Sequence, residues 1–216
     1  MEHAFWDEVW EWGRIPFHQR DITPGLERLW PTLNIEKGAS ILVPLCGKTL
    51  DMIWLRDQGY KVVGAELSSL AVEAFFAENN IAPTVQEEDG FKVFRADNIA
   101  IWCGDFFALP SGVMASCQGV LDRASFMALP EFMRGEFAAK LCQDLPAAAK
   151  TLMFLIEYKQ EEMSGPPFSV ESSEVVERFG GRFEVNELFR RTLEELPEQM
   201  KAEGLSSMTT TAFSLT

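Results

Sequence analysis

Short, nearly unbroken apolar runs recur along the chain: Ser40 to Pro44, Lys61 to Glu66, Ile99 to Cys103, Gly119 to Asp122 and Thr151 to Tyr158. Runs this short without polar alternation predict strands covered on both faces. Between them the period changes. Leu50, Ile53 and Trp54 fall at helical spacing before Gly59, and Ser68 or Ser69 opens a helix carrying Leu70, Ala71, Ala74 and Phe75 on one face. Glu131 to Leu145 and Glu171 to Gly181 read as further helices, the second closing on paired glycines. Strands alternating with helices predict an α/β fold: a mostly parallel sheet with helices on both faces. Ligands of such sheets bind outside the carboxyl ends of the strands, near the topological switch point.

Past Gly181, "RFEVNELFRR" and "MTTTAFSLT" predict two more strands, and the charged stretch between them reads as a loop or short helix. No Gly/Ser-rich linker or internal repeat divides the chain. One domain over 1–216 is expected, with an N-terminal helical lid over 1–30 and the sheet and helices over 40–216. In the first segment Phe5, Trp6, Val9 and Trp10 form one apolar face, followed by Gly13. Such a helix either simply packs on the domain or closes over a ligand with two indoles.

A 47% hydrophobic content suffices for one generous core. The net charge of −14, from 33 acidic and 19 basic residues with no basic cluster, argues against a nucleic-acid partner. The acidic start "MEHAFWDEVW" lacks the features of a secretory signal, and "TLMFLIEY" is too short to span a bilayer, so a cytoplasmic protein without a membrane partner is expected. Cys46, Cys103, Cys117 and Cys142 show no CxxC spacing and read as buried free thiols, and with only His3 and His18 no imidazole-based metal site is expected. An acidic surface on one domain makes a monomer the expected state.

"LVPLCGKTLDM" runs from a buried strand through Gly47 into a helix. In nucleotide-binding units that turn brings backbone close to the ligand, and an acidic residue about 20 positions on takes the ribose hydroxyls; Glu66, ending "KVVGAE", stands there. One glycine in place of G-x-G-x-x-G disfavours a pyrophosphate and suits an adenosine without phosphate. "IAIWCGDFFALP" brings Asp105 and Phe106 to the same edge, where they can meet an adenine's amino group and face, although a solvated turn aspartate is the plain alternative. "GVLDRASF" adds Asp122 and Arg123 over the ligand position, with Arg123 either in a surface ion pair or facing a carboxylate.

The segments "FWDEVWEWGRIPFHQ", "LVPLCGKTLDMIWLRDQGYKVVGAELS", "CGDFFALP", "DRASFMALP" and "GPPFSV" together resemble the thiopurine S-methyltransferases, in order and over nearly the whole chain, most closely the bacterial type. The resemblance implies a Rossmann-like class I methyltransferase domain, with a mostly parallel seven-stranded sheet whose last strand is antiparallel. It implies S-adenosyl-L-methionine as cofactor, held by Trp6, Trp10, Leu45, Gly47, Glu66, Leu67, Asp105, Phe106 and Arg123. Phe17 and His18 would lie on the substrate side. Ser125 and Phe126 stand where relatives commonly carry Ala or Gly and then Leu, a difference that would reshape the acceptor pocket. The implied reaction is methylation of the sulfur of thiopurines and related heteroaromatic thiols, with selenium or tellurium species as an alternative acceptor. Arg123 and His18 are its candidate catalytic residues: Arg123 would favour an anionic acceptor or hold a cofactor carboxylate, and His18 would deprotonate or orient the acceptor unless it is merely packed. A nicotinamide-dependent oxidoreductase and a non-catalytic nucleoside-binding module are the competing classes.

Overall fold

The computed structural model describes residues 3–13, 18–193, 195–196, 198–202 and 204–216. Its strands are β1 (Ser40–Val43), β2 (Lys61–Glu66), β3 (Thr84–Glu88), β4 (Phe91–Ala96), β5 (Ile99–Cys103), β6 (Gly119–Arg123), β7 (Lys150–Glu157), β8 (Val185–Thr192) and β9 (Thr209–Leu215). They form one sheet in the order β3-β4-β5-β2-β1-β6-β7-β9-β8. The five central strands are parallel, β5-β2-β1-β6-β7, and β9 returns antiparallel against β7. From β1 the chain moves outward first to β2 and later, in the other direction, to β6. The switch point therefore lies at the carboxyl end of β1.

The helices are α1 (His3–Glu11), α2 (Leu26–Leu29), α3 (Asp51–Asp57), α4 (Ser69–Glu78), α5 (Ser111–Ala115), α6 (Ser125–Ala128), α7 (Glu131–Asp144), α8 (Ser172–Phe179) and α9 (Glu198–Ala202). β1 shows why they need both faces. Ile41 and Val43 pack with Leu26, Trp30, Met52 and Phe75 on one side, while Leu42 packs with Phe106, Phe126, Phe137 and Phe179 on the other. Strand geometry sends successive side chains to opposite faces, so each buried strand builds two cores. Within 1–30, the segment expected as a lid, α1 lies beside α4, whereas Leu26, Leu29 and Trp30 are buried in the core. Trp6 and Trp10 of α1 and most of the stretch His18 to Leu29 border the cleft at the sheet edge.

The sheet has nine strands instead of the expected seven. The seven are all present, and the addition is the antiparallel hairpin β3–β4 attached to β5. β3 is exposed along most of its length, and in β4 Lys92 and Arg95 interrupt the buried Phe91, Val93 and Phe94, so neither has the apolar run that marks the central strands. The signal that finds them is Asp89-Gly90, with φ of 49° and 84°: an Asp-Gly pair with two positive φ values is a preferred tight hairpin turn.

Candidate active site

One cleft of about 1080 Å³ opens at the carboxyl edge of the sheet. That is at the upper end for a small-molecule site and leaves room for two ligands together. Its first end is built by the turn after β1. Leu45 holds φ of 43° and Gly47 φ of 51°, left-handed values that bulky L-residues adopt rarely and that concentrate at functional sites. A Cβ on Gly47 would lie 3.3 Å from Cζ2 of Trp10. The indole thus rests on bare backbone, and α1 is held against the turn.

Glu66 ends β2, 6% exposed, and lines the cleft. The Gly47 amide donates to its Oε2 at 2.7 Å and the Ser68 amide to its Oε1 at 2.9 Å. Two backbone donors from separate turns orient this carboxylate as a fixed acceptor at the wall. Asp105 follows β5, and its Oδ1 accepts from the Phe107 amide at 2.9 Å, capping the 3-10 turn Phe106–Ala108. Phe106 lines the cleft but is 2% exposed, its ring 5.0 Å from that of Phe137, so it is chiefly a core side chain. Trp6, Trp10, Leu45, Leu67 and Arg123 line the same cleft and are half-buried.

Asp122 and Arg123 part company. Arg123 faces the cleft, but Asp122 is fully buried and does not line it. Its Oδ1 accepts from the amides of Ser125 (2.9 Å) and Phe126 (3.3 Å), capping α6, and burial raises its carboxyl to about 6. Alternation along β6 explains the split, and the expectation that both residues stand over a ligand is corrected to Arg123 alone. Ser125 and Phe126 are also buried, the Ser125 hydroxyl donating to the Pro44 carbonyl at 2.6 Å. Neither lines the cleft, so any effect on acceptor shape is indirect.

His18 lines the cleft, half-buried; burial lowers its pKa below 6.5, as do the charges of Lys48 and Arg123, against an opposing pull from Glu78. Phe17 lies outside the described residues. Burial also lowers the Arg123 guanidinium's pKa, and the negative charge of Asp51 counters it.

Asp51 was not singled out by sequence reasoning. It is fully buried, and its carboxylate accepts from the Thr23 amide (2.7 Å), the Thr23 hydroxyl (2.7 Å) and the Thr49 hydroxyl (3.0 Å). One side chain thereby joins the segment after α1, the β1–α3 turn and the field at Arg123. An aspartate in the first turn of a helix ordinarily reads as a dipole partner facing solvent. Three flanking hydroxyl-bearing or carboxylate positions, Thr23, Thr49 and Asp51, are the only signal for more.

The second end of the cleft also lay outside sequence reasoning, apart from the GPPF turn. Met127, Met133, Met163, Met200 and Met208 line it, with Pro166, Pro167, Phe154 and Phe189. These residues come from β7, β8, α6, α7, α9 and the loops between, and no local motif announces their convergence. All four cysteines are free, with Cys46 and Cys117 buried and Cys103 and Cys142 half-buried.

Solved structures share this architecture. The 1,6-didemethyltoxoflavin-N1-methyltransferase of Burkholderia thailandensis, crystallised with S-adenosylhomocysteine, superposes with a TM-score of 0.63 at 15% identity, over 99% of this chain and 87% of that one. TehB from Haemophilus influenzae gives 0.61 at 14%, over 91% and 63%. At such identities the likeness concerns the fold. Sheet order, an acidic residue closing the second strand and a glycine turn closing the first give the chain the class I methyltransferase fold.

Within that class the chain belongs to the thiopurine S-methyltransferase family, whose model matches residues 1–216. Thiopurine S-methyltransferase of Pseudomonas entomophila is 45% identical over 217 residues, covering 100% of both chains, and that of Bordetella petrii is 44% identical over 215 residues, covering 100% of this chain and 98% of its own. Family membership removes the nicotinamide-dependent and non-catalytic alternatives.

Proposed function

We propose that this enzyme methylates the sulfur of thiopurines and related heteroaromatic thiols. The observation that carries the reading is that Glu66 and the Gly47 turn share one cleft with a largely apolar, methionine-rich wall. The residues present fit the cofactor. Glu66 is a preoriented acceptor for ribose hydroxyls, bare backbone at Gly47 permits close approach, and Trp6 and Trp10 supply an aromatic cover. Leu45, Leu67, Asp105, Phe106 and Arg123 complete the proposed contacts.

S-adenosylmethionine, when bound, supplies a methyl group on a cationic sulfur. What the chain contributes is placement and exclusion of water. Alignment of reacting groups is worth about 7–11 kcal/mol of barrier in favourable cases. Arg123, in the field of Asp51, favours a thiolate or fixes a carboxylate in the cleft. His18, neutral near pH 7 because its pKa is lowered, is able to take the thiol proton. Phe17 is proposed for the acceptor side beside His18. α1 acts as the lid.

The five methionines also favour a second acceptor class, selenium or tellurium species, because thioethers are polarizable and adapt to soft ligands. We take the protein to work as a cytoplasmic monomer, a reading supported by its four free thiols and high net negative charge. Methyl transfer from labelled cofactor to 6-mercaptopurine, 2-mercaptopyridine and selenite tests the assignment. Labelled S-methyl product from the thiols is the expected result. Transfer to selenium alone would replace the first reading with the second.

A further inference from the structure

Residues 18–25 come after α1 with no helix or strand of their own, yet they carry His18, Gln19, Ile22 and Thr23 into the wall of the cleft. A segment without a hydrogen-bond ladder takes its position from what it touches. Among the described residues, its hydrogen bonds to anything beyond the adjoining α2 all end on one carboxylate. Thr23 donates its amide to Asp51 Oδ1 and its hydroxyl to Oδ2, each at 2.7 Å. The Thr49 hydroxyl donates to the same Oδ2 at 3.0 Å, and Thr49 stands two residues after Gly47, in the turn proposed for the cofactor. Asp51 is fully buried and does not line the cleft, while both of its partners do. A buried carboxylate is costly unless its lone pairs are taken up, and here three donors from two separate segments take them.

We propose that Asp51 is a positioning residue that ties the segment bearing His18 and Thr23 to the cofactor turn, so that filling the Gly47 and Glu66 end of the cleft also fixes the acceptor side. The inference rests on the cofactor placement given above and adds an order to it: cofactor first, acceptor second. Asp51 acts through Thr23 and Thr49, whose hydroxyls share its Oδ2. A ligand that stills the turn takes freedom from Thr49 and, through that oxygen, from the segment. Ordering at one site then lowers the cost of binding at the other, with no direct contact between the two ligands required.

Hydrogen exchange tests this without any methyl acceptor, on the full chain with and without saturating S-adenosylhomocysteine. In the wild type, peptides covering 18–29 should exchange at least about fivefold more slowly with the ligand bound, the lower end of ordinary coupling between sites. Asp51→Ala should shrink that gain to about twofold or less. Asp51→Asn, which keeps an acceptor for the Thr23 amide but loses the charge, and Thr23→Val, which removes one hydroxyl, should each retain part of it. An Asp51 that merely supports the fold would instead let the segment exchange faster by the same factor with and without ligand. A ligand-induced gain undiminished in Asp51→Ala overturns the proposal, and so does a wild-type segment that ignores the ligand. Should Asp51→Ala not fold, the other two variants decide: undiminished protection in both overturns the proposal. Calorimetry separates the two readings. Ligand affinity unaffected by Glu66→Ala, with the segment's protection gained and lost as expected, would refute the cofactor placement and leave the tie through Asp51 standing.

Discussion

The Gly47 amide and the Glu66 carboxylate, 19 residues apart, meet in a 2.7 Å hydrogen bond that fastens the turn after β1 to the tip of β2. The same carboxylate proposed for the ribose thus also shapes the backbone on which the cofactor would rest. Removing it disturbs two contacts at once.

Glu66→Ala is therefore expected to weaken S-adenosylhomocysteine binding by about 10- to 100-fold, the range for losing hydrogen bonds to a charged group. Glu66→Gln keeps one acceptor oxygen and should fall between. Titration calorimetry on both variants checks the order. Unchanged affinity in Glu66→Ala would remove Glu66 from the cofactor site.

Gly47→Ala forces an L-residue to φ of 51° and puts a methyl group 3.3 Å from the Trp10 ring. The backbone cost is about 1–2 kcal/mol, and the indole must shift in addition. Repeating the substitution in a Trp10→Ala background should relieve the second part, giving a coupling of at least about 0.5 kcal/mol in thermal unfolding. Strict additivity would mean that α1 does not bear on the turn.

His18 has its pKa lowered by burial first and by Lys48 and Arg123 next. The imidazole is then neutral above the lowered value and gains a proton only as pH falls through it. If it takes the thiol proton, kcat/KM should show an acid limb below pH 6.5 that His18→Gln abolishes. The rate loss should reach about 100-fold for acceptors of high thiol pKa and shrink for those already ionised. A pH profile indifferent to the substitution would assign His18 to packing.

Asp122 carries a carboxyl raised to about 6 by burial. Its folded value exceeds the unfolded one, so the folded state holds the proton more tightly between about pH 4 and 6, and stability declines as pH rises through that window. Asp122→Asn lacks this dependence. Relative to wild type, the variant should gain stability between pH 4 and 7 by roughly 3 kcal/mol at most, read from denaturant midpoints at matched pH. A stability difference that stays constant with pH would show that the carboxyl titrates normally.

What sequence could reveal follows from how each feature is buried. β2 and β5 appear with the expected bounds and β1, β6 and β7 shift by a residue, because burial on both faces leaves an apolar run. The hairpin β3–β4 escaped because alternating burial on a charged edge gives no such run. The meeting of Gly47 and Glu66 at the sheet edge was legible because both sit at fixed offsets from strand ends. Asp51 and the methionine wall were not, since their roles arise from segments brought together only by the folded sheet. Asp122 misled because a strand end points two ways.

The outermost strands of the sheet, β3 with Glu87 and Glu88 and β8 with Glu187, Arg190 and Arg191, hold their backbones among charged side chains. An open ladder of amides invites a neighbouring chain to add itself, and clustered charge makes that addition unfavourable. The same composition that concealed β3 from pattern reading guards the molecule against growing into a fibre.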